Sequence, residues 1–251
     1  MDEILKHSLV IIPAYNEEAA LPGLLAEVRA ALPGTDIAVI NDCSDDHTAG
    51  VARRHGAVVL DLPCNLGVGG AVQAGYQYAF THGYRHVIRC DGDGQHPPSE
   101  IPKLVAVMQS GKADLVIGSR FLEPDKDSYK STALRSAGIQ GLSLLLSVIC
   151  RARVTDPTSG FQMLNRPLLA YFAYSYPTDY PEPEALALLR RQGYQFREVG
   201  TRFRARLTGH SSIRSWGTLY YMFKVGLALL VGRARPIDPR YARHNMIQEV
   251  T

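Results

Sequence analysis

What this chain lacks narrows it first. Its four cysteines, Cys43, Cys64, Cys90 and Cys150, never fall in a CxxC spacing, which argues against a zinc ribbon or a thioredoxin-type redox pair. The expectation is four reduced, buried thiols of a cytosolic protein. Long apolar runs are equally scarce. No segment reaches the roughly 20 unbroken apolar residues of a membrane span. The nearest are residues 139–150 and 217–232, and the second carries Lys224 in its middle. The acidic opening MDEILKH and the short run LVIIP give no expectation of a secretory leader. No repeat or low-complexity tract occurs. The P-loop, G-x-S-x-G and H-E-x-x-H patterns are absent too, which sets aside several common enzyme classes.

What is present suits one ordinary globular domain: 251 residues, 46% hydrophobic and 20% charged. The net charge of +3 conceals an asymmetry. Residues 185–251 hold 12 basic against 3 acidic side chains, and residues 1–184 hold 15 against 21. A basic C-terminal quarter on an acidic body suggests a surface facing a phosphate or an anionic membrane, with a merely solvated basic face as the alternative.

Short apolar runs alternate with helical patterns. Strands are expected at 9–13, 37–41, 57–60, 86–90 and 114–117. Helices are expected after each of the first four, the first of them capped by Asn16 and the fourth over 99–109. This is the alternation of a parallel sheet covered by helices on both faces. Ligands in such sheets bind beyond the carboxyl ends of the strands. Asn16 and Glu17, Asp42, residues 65–70 and residues 91–95 all stand there. The second half is less regular. It reads as a helix over 133–150, a loop TDPTSGF at 155–161, a helix over about 184–192 and a strand over 194–203. The basic segment RFRARLTGHSS, an apolar helix over 216–231 and a polar tail follow.

The segment RCDGDGQHPP, residues 89–98, sets two carboxylates one residue apart at a strand end. Glycines between them permit a turn and close ligand approach. Asp91, Asp93 and the amide of Gln95 form a hard oxygen donor set suited to Mg²⁺ or Mn²⁺ shared with substrate phosphates. A calcium loop counted from Asp91 fails, because His96 stands where glycine is required and Pro102 where glutamate is required. A turn whose acids cap the next helix remains the structural alternative. In NLGVGGAVQAG, residues 65–75, Val72 stands where a dinucleotide-binding G-x-G-x-x-G needs glycine, so that reading is weak.

Seven motifs in order, VIIPAYNE (10–17), INDCSDDHT (40–48), NLGVGGA (65–71), DGDGQHPP (91–98), GSRF (118–121), DPTSGF (156–161) and RLTGHSS (206–212), resemble the family 2 glycosyltransferases. Within that family the likeness is greatest to the polyprenyl-phosphate, or dolichol-phosphate-type, sugar synthases, and it spans about residues 8–215. The resemblance implies an α/β GT-A fold: a mostly parallel central sheet with flanking helices, an acceptor-side helical and loop region, and a C-terminal apolar helix. A catalytic domain would cover 1–211, with a nucleotide-sugar half at about 8–121 and an acceptor half at about 122–211. Residues 212–251 would form an amphipathic helix and tail.

The resemblance also implies roles. Pro13, Ala14, Tyr15, Glu17 and Asp42 would hold the base and ribose of a UDP- or GDP-linked sugar. Gly67, Gly70, Asp91 and Gly92 would complete the donor site, with Asp91, Asp93 and Gln95 on the metal. Arg120, Arg135, Arg206 and Ser211 would bind the phosphate of a polyprenyl-phosphate acceptor, a task suited to the planar arginine fork. Asp93, Asp156, Arg120 and Arg206 would serve catalysis. The transfer would invert the anomeric centre. A lipid phosphate needs little base help, whereas a sugar hydroxyl would need a carboxylate base. Asp156 is the first choice for that base, ahead of Asp179, Glu182 and Glu184, which helix capping explains equally well.

Two positions depart from the family pattern. Asn41 replaces the first acid of the usual Val-Asp-Asp-Gly-Ser, leaving the base open. Ser212 stands where the synthases often carry lysine, so one phosphate contact is missing or replaced. The alternatives are the same donor chemistry on a sugar hydroxyl of a polysaccharide or glycolipid, and a sugar-nucleotide-binding protein without transfer. Further expectations are peripheral contact with the inner face of the cell membrane through helices flanked by Arg151, Arg153, Arg214, Arg233 and Arg235, a partner membrane protein, and no nucleic-acid partner.

Overall fold

In the computed structural model, which describes residues 2–123, 133–204, 217–234 and 238–250, the first half follows the expected alternation. A short helix α1 (Asp2–Leu5) leads into β1 (Ser8–Ala14), α2 (Leu21–Ala31), β2 (Asp36–Asn41), α3 (Thr48–Arg54) and β3 (Val58–Asp61). Helix α4 (Gly67–Thr81), β4 (His86–Arg89), α5 (Ile101–Gln109) and β5 (Leu115–Ser119) complete it. The second half adds α6 (Ala133–Cys150), β6 (Gln162–Asn165), α7 (Arg166–Tyr174), α8 (Pro181–Arg191), β7 (Phe196–Gly200), α9 (Gly217–Ala234) and α10 (Arg243–Val250).

The strands form one seven-stranded sheet in the order β3-β2-β1-β4-β6-β5-β7. Every pairing is parallel except those of β6, which runs antiparallel between β4 and β5. The wholly apolar β1 is buried on both faces, as a central parallel strand must be. Leu9 and Ile11 face the layer built by α4, α6, α7 and α8. Val10 and Ile12 face the opposite layer, with residues of α2 and α5. That period of two splits one strand between two cores.

Several local expectations are corrected. Asn16 caps no helix: α2 begins at Leu21 behind Ala20, and Asn16 sits in a left-handed turn with φ 55°. Its side chain instead accepts from the Asp45 N–H at 2.9 Å, pinning the loop after β1 to the loop after β2. The glycine run after β3 is not a turn but the first turns of α4. A side chain at Gly69 would place Cβ 2.5 Å from the Thr178 carbonyl oxygen, so close helix–loop packing explains that glycine. Cys43 and Cys64 are exposed; Cys90 and Cys150 alone are buried. The last strand is shorter than expected, and the polar tail contains α10. Arg243 of that helix donates to the buried Asp114 at 2.7 Å, fastening the chain's end to the sheet.

Helix α9 packs against α6 and α8 and buries Val225 and Leu229, while Leu227, Leu230 and Val231 stay exposed. Among the described residues, no helix is long and apolar enough to cross a membrane.

Candidate active site

Beyond the carboxyl ends of β2, β1 and β4 lies a cavity of about 620 Å³, a size suited to a small-molecule ligand. Pro13, Ala14, Tyr15, Glu17, Asp42, Gly67, Asp91, Gly92 and Asp93 line it, as expected. Asn16, Asn65, Val68, Ala71, Arg89 and Glu182 line it as well. Gly70 and Gln95 do not belong to this lining.

Backbone geometry explains why the walls converge. Asp42 donates its N–H to the Ala14 carbonyl at 2.9 Å and accepts from the Leu66 N–H at 2.7 Å, tying β1, β2 and the start of α4 together. The Glu17 N–H donates to the Thr48 hydroxyl at 2.9 Å, closing the same corner. Gly92 donates to the Pro13 carbonyl at 3.2 Å, and a Cβ there would stand 3.0 Å from that oxygen. Glycine lets the β4 end press this close to the β1 end without displacing that carbonyl. Asn41, at the departure from the family motif, donates to Asp61 of β3 at 2.6 Å and so serves the sheet edge.

The acidic pair is held from both sides. The Asp93 carboxylate is nearly buried and accepts from the Gln95 N–H at 3.0 Å. The Asp91 N–H donates to His96 Nδ1 at 3.1 Å. The His96 ring stacks on Phe161 with centroids 5.2 Å apart and meets the edge of Phe203. Burial holds its pKa below the ordinary value, against the pull of Asp91 and Asp93, which suits a neutral ring that accepts at Nδ1. Arg89, at the end of β4, is buried with Nη2 3.1 Å from Asp91 Oδ1 and 2.9 Å from Glu182 Oε1. Among the described residues, no three His, Cys, Asp or Glu side chains are grouped to hold a metal. Asp91 and Asp93 both line the cavity, and two carboxylates there fit a cation that takes its remaining ligands from a bound phosphate and water, the usual arrangement for Mg²⁺.

The loop 155–161 joins this cavity to the second half. A Cβ on Gly160 would lie 2.8 Å from both Arg89 Nη2 and Asp91 Oδ2. At the other end of the loop, the Thr155 and Asp156 N–H groups donate to Glu198 of β7 at 2.8–2.9 Å. Asp156 is fully buried. It accepts from the Arg120 backbone at 3.0 Å, from Nε at 2.8 Å and from Nη2 at 2.6 Å. Arg120 also donates to the Thr158 hydroxyl at 2.7 Å and lies over the Phe203 ring. Neither residue lines the cavity at the ends of β2, β1 and β4. Arg135 lies on α6, and Arg206 and Ser211 lie outside the described residues.

A second cavity of about 590 Å³ opens at the Thr155 end of the loop. Phe121, Ile139, Leu144, Arg153, Val154 and Thr155 are among its walls.

Sequence reasoning missed Arg89 as a site residue, although a lone arginine ending the apolar run HVIR was a usable signal. It ranked Glu182 only among several acids, because nothing local distinguishes it from Glu184 two positions on.

The mostly parallel sheet, the one antiparallel insertion and the strand-end crevice define a GT-A-type α/β protein. The model of the glycosyl transferase family 2 matches residues 9–172, and the chain belongs to that family. It is 35% identical over 159 residues to an undecaprenyl-phosphate mannosyltransferase of Micrococcus luteus, a match covering 61% of this chain and 64% of that protein. It is 36% identical over 126 residues to a polyprenol monophosphomannose synthase of Mycolicibacterium smegmatis, covering 47% and 46% respectively. Its fold matches glucosyl-3-phosphoglycerate synthase from Mycobacterium tuberculosis, solved with Mn²⁺, UDP and glucosyl-3-phosphoglycerate. That match has a TM-score of 0.68 at 23% identity over 94% of this chain and 82% of the other.

Proposed function

We propose that this chain transfers a monosaccharide from a UDP- or GDP-linked sugar to a polyprenyl phosphate, inverting the anomeric centre with the help of Mg²⁺ or Mn²⁺. The observation that carries the reading is the cavity at the ends of β2, β1 and β4, where Asp91 and Asp93 share one wall with Pro13–Glu17 and Asp42. The names of the mannosyl-transferring relatives support the acceptor class.

In this reading the residues 13–17 and Asp42 hold the nucleoside. Asp91 and Asp93 hold the cation, which would offset charge on the departing diphosphate. Gly92 keeps the backbone close to that diphosphate. Gln95 would join the cation only by turning toward the cavity, since its side chain is not part of the lining. The lipid phosphate attacks as an anion, so no base is required. Asp156 then acts by orienting Arg120 toward the acceptor phosphate, with Arg135, Arg206 and Ser211 as its further contacts. The buried, fully engaged Asp156 carboxylate weighs against the reading in which it activates a sugar hydroxyl.

The second cavity, the exposed Leu144 and Val148 of α6, and the exposed Leu227, Leu230 and Val231 of α9 support a peripheral, membrane-facing acceptor side. Residues that lie on both faces of the loop 155–161 would bring the two substrates together. The test is to supply polyprenyl phosphate in detergent with a panel of UDP- and GDP-sugars and a divalent cation. The expected product partitions into organic solvent and releases its sugar in mild acid. Transfer to free sugar hydroxyls instead, with no such product across the panel, would overturn the acceptor assignment.

A further inference from the structure

On the wall of this cavity, Arg89 and Glu182 have no part in the donor contacts assigned above. Arg89 is 1% exposed, and burying a cation is costly unless it is paired. Arg89 spreads one guanidinium between two carboxylates. Its Nη1 also lies 3.5 Å from the Tyr176 hydroxyl, which limits its freedom further.

Glu182 is the less satisfied of the two acids. It lies in the first turn of α8, where the helix dipole favours negative charge, and its side chain is 14% exposed on the cavity wall. Among the described residues, Arg89 is the only ionic or hydrogen-bonding partner of its carboxylate. An ionised carboxylate offers about four acceptor sites. Glu182 is thus oriented by one buried arginine while the rest of its acceptor capacity meets the cavity.

The shared arginine says which part of a ligand would lie there. Glu182 lines the same cavity as Asp91 and Asp93, and Arg89 Nη2 reaches both it and Asp91. With the diphosphate at the aspartates, a carboxylate one guanidinium away from Asp91 stands where the attached sugar begins. We infer that Glu182 accepts hydrogen bonds from hydroxyls of the donor's monosaccharide and selects among sugars, with Arg89 as its positioning residue. This rests on the donor site proposed above. A carboxylate fixed in this way rewards a hydroxyl pointing at it and rejects an epimer whose hydroxyl points elsewhere, because the buried acceptor is then left unmatched.

The test is calorimetric binding to the full chain with Mn²⁺, comparing UDP and GDP with UDP-glucose, UDP-galactose and GDP-mannose. Glu182→Gln should leave affinity for the preferred nucleoside diphosphate within about twofold. It should weaken the matching nucleotide sugar about tenfold, the loss expected when a charged hydrogen bond becomes a neutral one. Glu182→Asp keeps the charge but withdraws it by one methylene, so it should lose discrimination between epimers while folding normally. Equal losses for diphosphate and sugar nucleotide, or none for either, would overturn the assignment to Glu182. A wild-type protein that binds neither ligand would instead overturn the donor-site reading itself.

Discussion

Two aspartates, one on each side of the loop 155–161, show how differently this chain treats its acids. Asp93, beyond β4, has one oxygen on the Gln95 N–H and lines a cavity of about 620 Å³. Asp156 lines neither of the two cavities described above; the backbone and guanidinium of Arg120 donate to it at 2.6–3.0 Å. A carboxylate bordering a cavity can meet an incoming ligand. One saturated by its own chain holds other groups in place. On the reading proposed above, the donor side would be built for chemistry at its acids, and the acceptor side to aim an arginine.

The largest effect should come from the donor acid. Asp93→Asn is expected to lower sugar transfer on the order of 10³-fold, the scale of losing one electrostatic element of a reaction centre. Its melting temperature should stay near that of the wild type. Turnover close to wild type would break the contrast, because Asp93 would then be as structural as Asp156. Asp156→Ala should act in the opposite sense and chiefly on stability, costing about 3 to 5 kcal/mol in a denaturant titration because Arg120 is stranded. A loss below about 1 kcal/mol would show that the acceptor side does not depend on this pair.

A smaller effect should follow from pH. Burial, helped by the charges of Arg85 and His7, lowers His86 to about 4, below its ordinary value near 6.5. On acidification the unfolded chain takes up the proton first. Stability is thus fully present above about pH 6.5 and falls as pH drops toward 4. Near pH 5 the loss should be on the order of 2 kcal/mol, and His86→Gln should flatten that part of the melting profile. An unchanged slope would remove His86 as its source.

The smallest effect is expected at Arg204. It pairs with Glu27 at 2.8 Å, but both side chains are more than 40% exposed, so Arg204→Ala should cost under about 1 kcal/mol. A larger loss would mean that the segment after β7 is held to α2 more firmly than a surface ion pair allows.

The first half was largely legible in the sequence. Short apolar runs, LVIIP in β1, IAVI in β2 and the HVIR of β4 that Arg89 ends, marked these strands together with the crevice they share. Nearly all of the residues expected at a donor site line it. The second half was not legible in this way. β6 has only four residues, QMLN, with no alternation to betray it, and its hydrogen bonds come from two strands distant in sequence. Asn16 looked like a helix cap because its side chain suits one, yet the neighbouring loop claimed that side chain. Arg89 was legible as an oddity but not as a contact. Its partner Glu182 is 93 positions away, and no spacing rule links the two.

The amino-acid sequence alone determined the family, the parallel α/β core and the strand-end location of the acids, because hydrophobic period and turn chemistry are local properties. Only the tertiary structure decided where β6 inserts, that Asp156 is held by Arg120, and that Arg89 braces Glu182 against the cavity. Those depend on which charges become buried together, and burial belongs to the packed chain rather than to any segment of it.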